Sequence, residues 1–288
     1  MGQSRSRTRR VVALVLATMA AAGILVASPA PPASAALNPL SISYRTVLAT
    51  GGADVNRLVP SNAPCPAGMK VVSVGATTSA GIVGAFPDAT LAGATAVGRN
   101  TGGSQLTFAV AGCAPASQLT DLRPFTRSFP NDGRDIRTGI IRCPAGLRAL
   151  NGGGSFVDAN GQAATPLTFV QDAPTWQGDG WAVSGRPNRT SDVLVMTVQC
   201  APLRGSFVQV TSITFPNTQF RSVLALCPSS AVAVSGGAYV QRPGDGGEGE
   251  GTITSSSASP NNNGWNVTGR PVAADGTRLV SFAVCMPR

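Results

Sequence analysis

Short runs in which large apolar residues alternate with small or polar ones recur along this chain, the pattern of β-strands with two unlike faces. Leu106, Phe108 and Val110 alternate with Thr107 and Ala109, which predicts a strand with one heavily packed face. Val280, Phe282 and Val284 share one side of a later strand, with Ser281, Ala283 and Cys285 on the other. Residues 193–198, Val-Leu-Val-Met-Thr-Val, are apolar on both sides and read as a strand covered on both. All three are expected in the core. Residues 41–48 and 70–74 predict two further strands near the start.

One run departs from this pattern. Residues 11–27 are continuously apolar, follow Arg5, Arg7, Arg9 and Arg10, and lead to Ala33-Ser34-Ala35. A basic start, an apolar middle and small residues at the end describe an export leader over residues 1–35, cleaved after Ala35 or Ala36. An uncleaved anchor is the alternative; after cleavage no membrane span is expected.

The strand patterns sit inside a threefold repeat, over residues 40–115, 119–202 and 206–288. A cysteine opens each repeat, at Cys65, Cys143 and Cys227, and a glycine follows ten positions later, at Gly75, Gly153 and Gly237. A Gly-x5-Arg unit recurs at Gly93 and Arg99, Gly180 and Arg186, Gly264 and Arg270, with a proline before it at Pro87, Pro174 and Pro260. A closing cysteine stands 14, 14 and 15 residues beyond the arginine. Repeat one is divergent: Ala94 stands where Trp181 and Trp265 do, and Val74 replaces the first glycine of the pairs Gly152-Gly153 and Gly236-Gly237. Joins of about half a dozen residues are too short for freely swinging beads. The expected fold is all-β, three pseudo-repeats of antiparallel sheet packed as a β-prism-like body, with three adjoining small β-sandwiches as the alternative.

Six cysteines in an exported chain imply three disulfides. Two pairings respect the repeat. The favoured one closes each repeat on itself, as Cys65–Cys113, Cys143–Cys200 and Cys227–Cys285. The other joins Cys113 to Cys143, Cys200 to Cys227 and Cys65 to Cys285 in a ring.

The order Cys-Pro-x-Gly, Gly-Gly, Gly-Trp-x-Val and a strand ending in Cys resembles a repeat found in secreted bacterial proteins of unknown function, over nearly the whole mature chain. It implies an architecture and no chemistry. The Cys-Pro-x-Gly turns are also similar to those of the vitelline membrane outer layer proteins, whose three-sheet β-prism the likeness implies here; their cysteine spacing and acidic motif are absent.

Charge and composition narrow the chemistry. The chain carries 22 Lys+Arg against 13 Asp+Glu; without the leader's four arginines 18 remain, a net of +5, which gives no reason to expect a nucleic-acid partner. There is no histidine, so Ser–His–Asp and Cys–His catalysis and HExxH zinc sites are excluded. A serine–lysine dyad would have to use Lys70, the single lysine, inside a strand. Paired carboxylates are the remaining hydrolytic option, with Asp172 and Asp179 beside a candidate groove. No enzyme activity and no cofactor are expected.

The candidate binding residues fall in two groups. Trp181 and Trp265 read as core, but Trp176 lies among turn formers with Gln177 and Asp179, where an exposed ring could stack on a sugar and the polar groups bond its hydroxyls. Arg99, Arg186 and Arg270 hold one position in three repeats, on the strand face opposite Trp and Val, and could converge on an anion. Six arginines between residues 119 and 148 read as a solvated strand face. The acidic stretch 244–251 reads as a flexible hairpin tip rather than a calcium loop. The expected protein is a secreted, non-catalytic binding module for glycan or anionic envelope polymer, with a purely structural extracellular role as runner-up.

Overall fold

The computed structural model describes residues 40–51, 57–100, 102, 105–164, 168–203, 205–215, 217–272 and 276–288; the expected leader lies outside them. The same punctuation in each repeat produces the same six strands. Repeat one supplies β1 (Ser43–Gly51), β2 (Leu58–Pro64), β3 (Met69–Thr78), β4 (Ile82–Pro87), β5 (Gly93–Arg99) and β6 (Gln105–Pro115). Repeat two supplies β7 (Arg123–Pro130), β8 (Arg137–Arg142), β9 (Arg148–Val157), β10 (Thr168–Pro174), β11 (Gly180–Arg186) and β12 (Val193–Ala201). Repeat three supplies β13 (Phe207–Thr214), β14 (Arg221–Leu226), β15 (Ala231–Gln241), β16 (Gly251–Ala258), β17 (Gly264–Pro271) and β18 (Arg278–Pro287).

These strands form three six-stranded antiparallel sheets, and no sheet belongs to one repeat. Sheet I runs β1-β6-β3-β16-β17-β14, sheet II β2-β5-β4-β9-β12-β7, and sheet III β13-β18-β15-β10-β11-β8. In each repeat the first, third and sixth strands enter one sheet and the second, fourth and fifth enter the next. The third strand of each repeat then pairs with the fourth strand of another. Ala76 of β3 stands opposite Ser256 of β16, Gly154 of β9 opposite Ala85 of β4, and Ala238 of β15 opposite Asp172 of β10. The body is a β-prism closed by strand exchange, which rules out three adjoining sandwiches.

The recurring glycines follow from that exchange. A Cβ on Gly153 would overlap the Ala85 carbonyl oxygen across the junction, and one on Gly237 the Asp172 carbonyl oxygen. At Gly75 the same Cβ would stand 3.1 Å from the Ser256 carbonyl oxygen, tight but not overlapping. Only glycine lets the two backbones approach this closely.

The first glycine of each pair makes room for the repeat's tryptophan. The Trp181 ring lies on Gly152 and the Trp265 ring on Gly236, so that a Cβ at either glycine would collide with the indole. Each buried indole N–H, at 1% exposure, finds an acceptor: Trp181 donates to Asp172 Oδ1 at 2.6 Å and Trp265 to Ser256 Oγ at 2.9 Å. Repeat one changes all three positions together. Val74 fills the volume, Ala94 removes the donor, and Ala85 stands in the acceptor's place. The substitution keeps the core filled and leaves no orphaned polar group.

The strand expected to pack its large residues does the reverse. In β6, Thr107, Ala109 and Ala111 are fully buried, whereas Leu106 is 38% exposed and Phe108 and Val110 are half-buried. In this copy the small row faces in and the large row faces out. In β12 the inner row is Leu194, Met196 and Val198, all at 0% exposure, while Val193 and Val195 on the outer side are half-buried rather than covered. β18 is buried on both sides along most of its length.

The disulfides are Cys65–Cys113, Cys143–Cys200 and Cys227–Cys285, one per repeat. Each opening cysteine sits in the turn between the second and third strands, where the chain crosses from one sheet to the next. Each closing cysteine lies in the sixth strand, so the bond ties the crossover to the sheet it enters.

Candidate functional site

The loops joining the fourth and fifth strands gather at the disulfide end of the prism and are built alike. Thr175 N–H donates to the Gly180 carbonyl at 2.9 Å, as Ser259 does to Gly264 and Asp88 to Gly93. The residue two before the closing glycine has a left-handed backbone in all three: Leu91 at φ 62°, Gly178 at φ 68° and Asn262 at φ 52°. This alignment corrects one landmark: Pro87 and Pro174 end equivalent strands, but Pro260 lies two positions further on, in the turn, where repeat two has Trp176.

Asp179 belongs to this construction. Its Oδ1 accepts from Thr175 Oγ1 at 2.6 Å, its Oδ2 pairs with the Arg142 guanidinium, and its carbonyl accepts from Cys143 N–H at 2.7 Å. Asn263 in repeat three takes the same hydroxyl bond from Ser259 at 2.7 Å. The Thr175 hydroxyl and the Arg142 guanidinium hold the Asp179 carboxyl below its usual range. Asp179 therefore braces the turn. Asp179→Ala is expected to lower stability by about 1 kcal/mol, the worth of one such bond, read as a small fall in melting temperature; an unchanged melt would refute the bracing role.

Trp176 is what distinguishes this turn from its copies, which carry Ala89 and Pro260 at the same place. The residue is 56% exposed, and its ring meets Phe282 edge-on, with centroids 5.1 Å apart at 69°. Phe282 lies on the outer face of sheet III in a small apolar cluster with Ala173, Tyr239 and Val280. The indole is thus both folded back on the sheet and open to solvent, a rigid platform with one free face. Beside the turn is a groove of about 350 Å³ lined by Leu147, Arg148, Gln177, Asp179, Pro202 and Leu203. Gln177 is exposed, and its carbonyl accepts from the Arg148 guanidinium. The sequence reading did not connect Arg142 and Arg148 with this turn; both come from the Cys143 crossover, folded against it by the disulfide's own repeat.

The three repeated arginines are elsewhere. Arg99, Arg186 and Arg270 end the fifth strands, at the opposite end of the prism from Trp176, and lie on the outer faces of three different sheets. Arg186 pairs with Glu250, and Arg270 stacks 5.1 Å above the Phe220 ring. They do not converge on one another or on Trp176. The arginines of β7, Arg123 and Arg127, are exposed as expected, whereas Arg137 of β8 is half-buried and pairs with Asp132 at 2.8 Å.

Asp172 and Asp179 do not form a carboxylate pair. Asp172 faces the interior with Trp181, Gly236, Ala238 and Ser256, around a void of about 10 Å³, near the lower limit for one water. Burial pushes its carboxyl up to about 8, against a smaller opposing effect of the Trp181 N–H. The acidic stretch 244–251 is not a free tip either. Asp245 pairs with Arg242, Glu250 with Arg186, and Glu248 accepts from the Thr138 hydroxyl at 2.7 Å, so the loop of repeat three is fastened onto repeat two. Among the described residues no group of three or more His, Cys, Asp or Glu side chains is placed to hold a metal ion, and no helix is long and apolar enough to cross a membrane. No family model matches the chain, and no curated protein is similar to it.

Proposed function

We propose that the protein is an exported, non-catalytic binding module that takes a carbohydrate chain of the cell envelope at the Trp176 end of sheet III. The carrying observation is the solvent-open Trp176 ring, fixed on Phe282, in one copy only of a turn built three times. A rigid aromatic face beside a polar groove suits a sugar ring, which offers an apolar face and a rim of hydroxyls. Gln177, Arg148 and the adjoining Arg142 supply hydrogen bonding and positive charge, so an anionic glycan or wall polymer is the favoured ligand within the class. Three disulfides accord with life in an oxidising compartment.

Titration of the protein with envelope polysaccharides and anionic wall polymers tests the reading. At least one is expected to bind, and Trp176→Ala to weaken it tenfold or more, about 1.4 kcal/mol, with only the small fall in melting temperature that loss of the Phe282 contact brings. Absence of binding across the panel would leave the purely structural role. That second reading draws on the fact that the landmarks shared by all three repeats serve junctions, turns and disulfides.

A further inference from the structure

At the end of sheet III opposite Trp176 there is a second opening, a cleft of about 460 Å³ between repeats two and three. One wall is the loop between β7 and β8, with Asp135 and Ile136; another is the β15–β16 loop, with Arg242, Glu248 and Glu250; Arg186 closes it from the end of β11. The corresponding loop of repeat one, between β3 and β4, spans only residues 79–81. The cleft exists because repeat three carries a long acidic insertion that is held down rather than left free. Tyr239 donates to the Gly246 carbonyl at 2.8 Å, Glu248 receives the hydroxyl of Thr138, and Glu250 receives Arg186. Glycine-rich backbone on its own would move freely; here three anchors give it one shape.

The charges in the cleft are of both signs and are not all used. Glu250 takes one terminal nitrogen of Arg186, whose Nε is buried without a partner. Arg242 pairs with Asp245 on its own loop and remains largely exposed. Asp135 is exposed and its carboxylate has no hydrogen bond or ion pair with a side chain among the described residues, its neighbours Asp132 and Arg137 being occupied with each other. The lining thus holds three carboxylates, of which Asp135 is unpaired, and two guanidiniums that each keep N–H donors beyond their one ion pair, with the apolar side chains of Ile136 and Val272 beside them.

The geometry points to a binding site for a small zwitterion, an amino acid or peptide end whose ammonium meets Asp135 and whose carboxylate meets Arg186 and Arg242. A ligand with only an ammonium leaves the spare guanidinium donors unused, and one with only a carboxylate leaves Asp135 unmatched. The volume admits a dipeptide with room for a little water. This site lies beyond the glycan reading and does not depend on it.

Calorimetric titration with alanylalanine, its N-acetyl form and its C-terminal amide tests it. The free dipeptide is expected to bind, and each blocked form to bind at least tenfold more weakly. Asp135→Asn is expected to reproduce the effect of N-acetylation, its exposed position leaving the melting temperature unchanged, while Trp176→Ala leaves the affinity alone. Absence of dipeptide binding at millimolar concentration, equal binding of the N-acetyl form, or loss of binding in Trp176→Ala would each overturn the assignment. Glycan binding at the Trp176 end stands or falls separately, on the polysaccharide titration.

Discussion

Asp172→Ser is expected to raise thermal stability at neutral and mildly alkaline pH and to flatten its dependence on pH. The carboxyl has a usual value of 3.8 and is pushed up to about 8 inside the prism. Below 3.8 both the folded and unfolded chains hold the proton, and the group's contribution is fully present. As pH rises towards 8 the unfolded chain releases the proton while the folded one keeps it, so stability declines; above 8 the loss is complete. Serine is the natural replacement because Ser256 already receives the indole N–H in repeat three. Melts at several pH values between 4 and 9 should show the wild-type curve falling by about 10 °C, a few kcal/mol in a domain this size, and the variant's nearly level. Asp179 acts with the opposite sign: its lowered value makes its contribution present above the usual carboxylate range and lost as pH falls. A wild-type melting temperature that does not decline on the alkaline side would refute the buried-carboxyl account.

The second large effect is expected at the junctions. Gly153→Ala forces a Cβ into the Ala85 carbonyl oxygen, and the obstacle is backbone that cannot rotate aside. Its destabilisation should exceed about 3 kcal/mol, the upper part of the range for overpacking. Gly237→Ala should be nearly as severe, and Gly75→Ala, with 3.1 Å of clearance, much milder. Urea unfolding midpoints of the three variants decide the matter. Equal tolerance at all three would mean that the glycines are not there for the approach of two backbones.

Much of this architecture was legible because the repeat is read three times. The repeat narrowed the cysteines to two symmetric pairings, of which the favoured one is present, and Gly-x5-Arg marked the fifth strand in every copy. The covariation of Val74 with Ala94 was visible as well, though not its cause, since the indole's acceptors Asp172 and Ser256 lie nine residues away on another strand. Strand exchange was not legible: period-2 alternation says which residues share a face and nothing about which repeat supplies the neighbouring strand. The same limit inverted β6, where the large residues seemed the natural core but the row of alanine and threonine is the one that faces in. The candidate site divided in a similar way. Trp176 stood out by composition, whereas Asp179 was indistinguishable from a ligand-binding carboxylate without Thr175 and Arg142 beside it. The three arginines shared a sequence position, but the prism distributes that position over three separate faces. The cleft at Asp135 could not be found at all, because its walls are loops more than a hundred residues apart.

Strand exchange also fixes how many units the protein can have. An open stack of repeats can gain or lose a copy at its end, since each copy meets only its neighbours in a line. Here the last repeat hands its fourth strand back to the first, so the series has no end at which to grow. Deleting one copy would leave an unmatched third strand and an unmatched fourth strand facing solvent, and adding one would demand a new angle between every pair of sheets. The number three is therefore a property of the circle, and variation is channelled into loops such as 175–179 and 242–250, where one copy can change without consulting the other two.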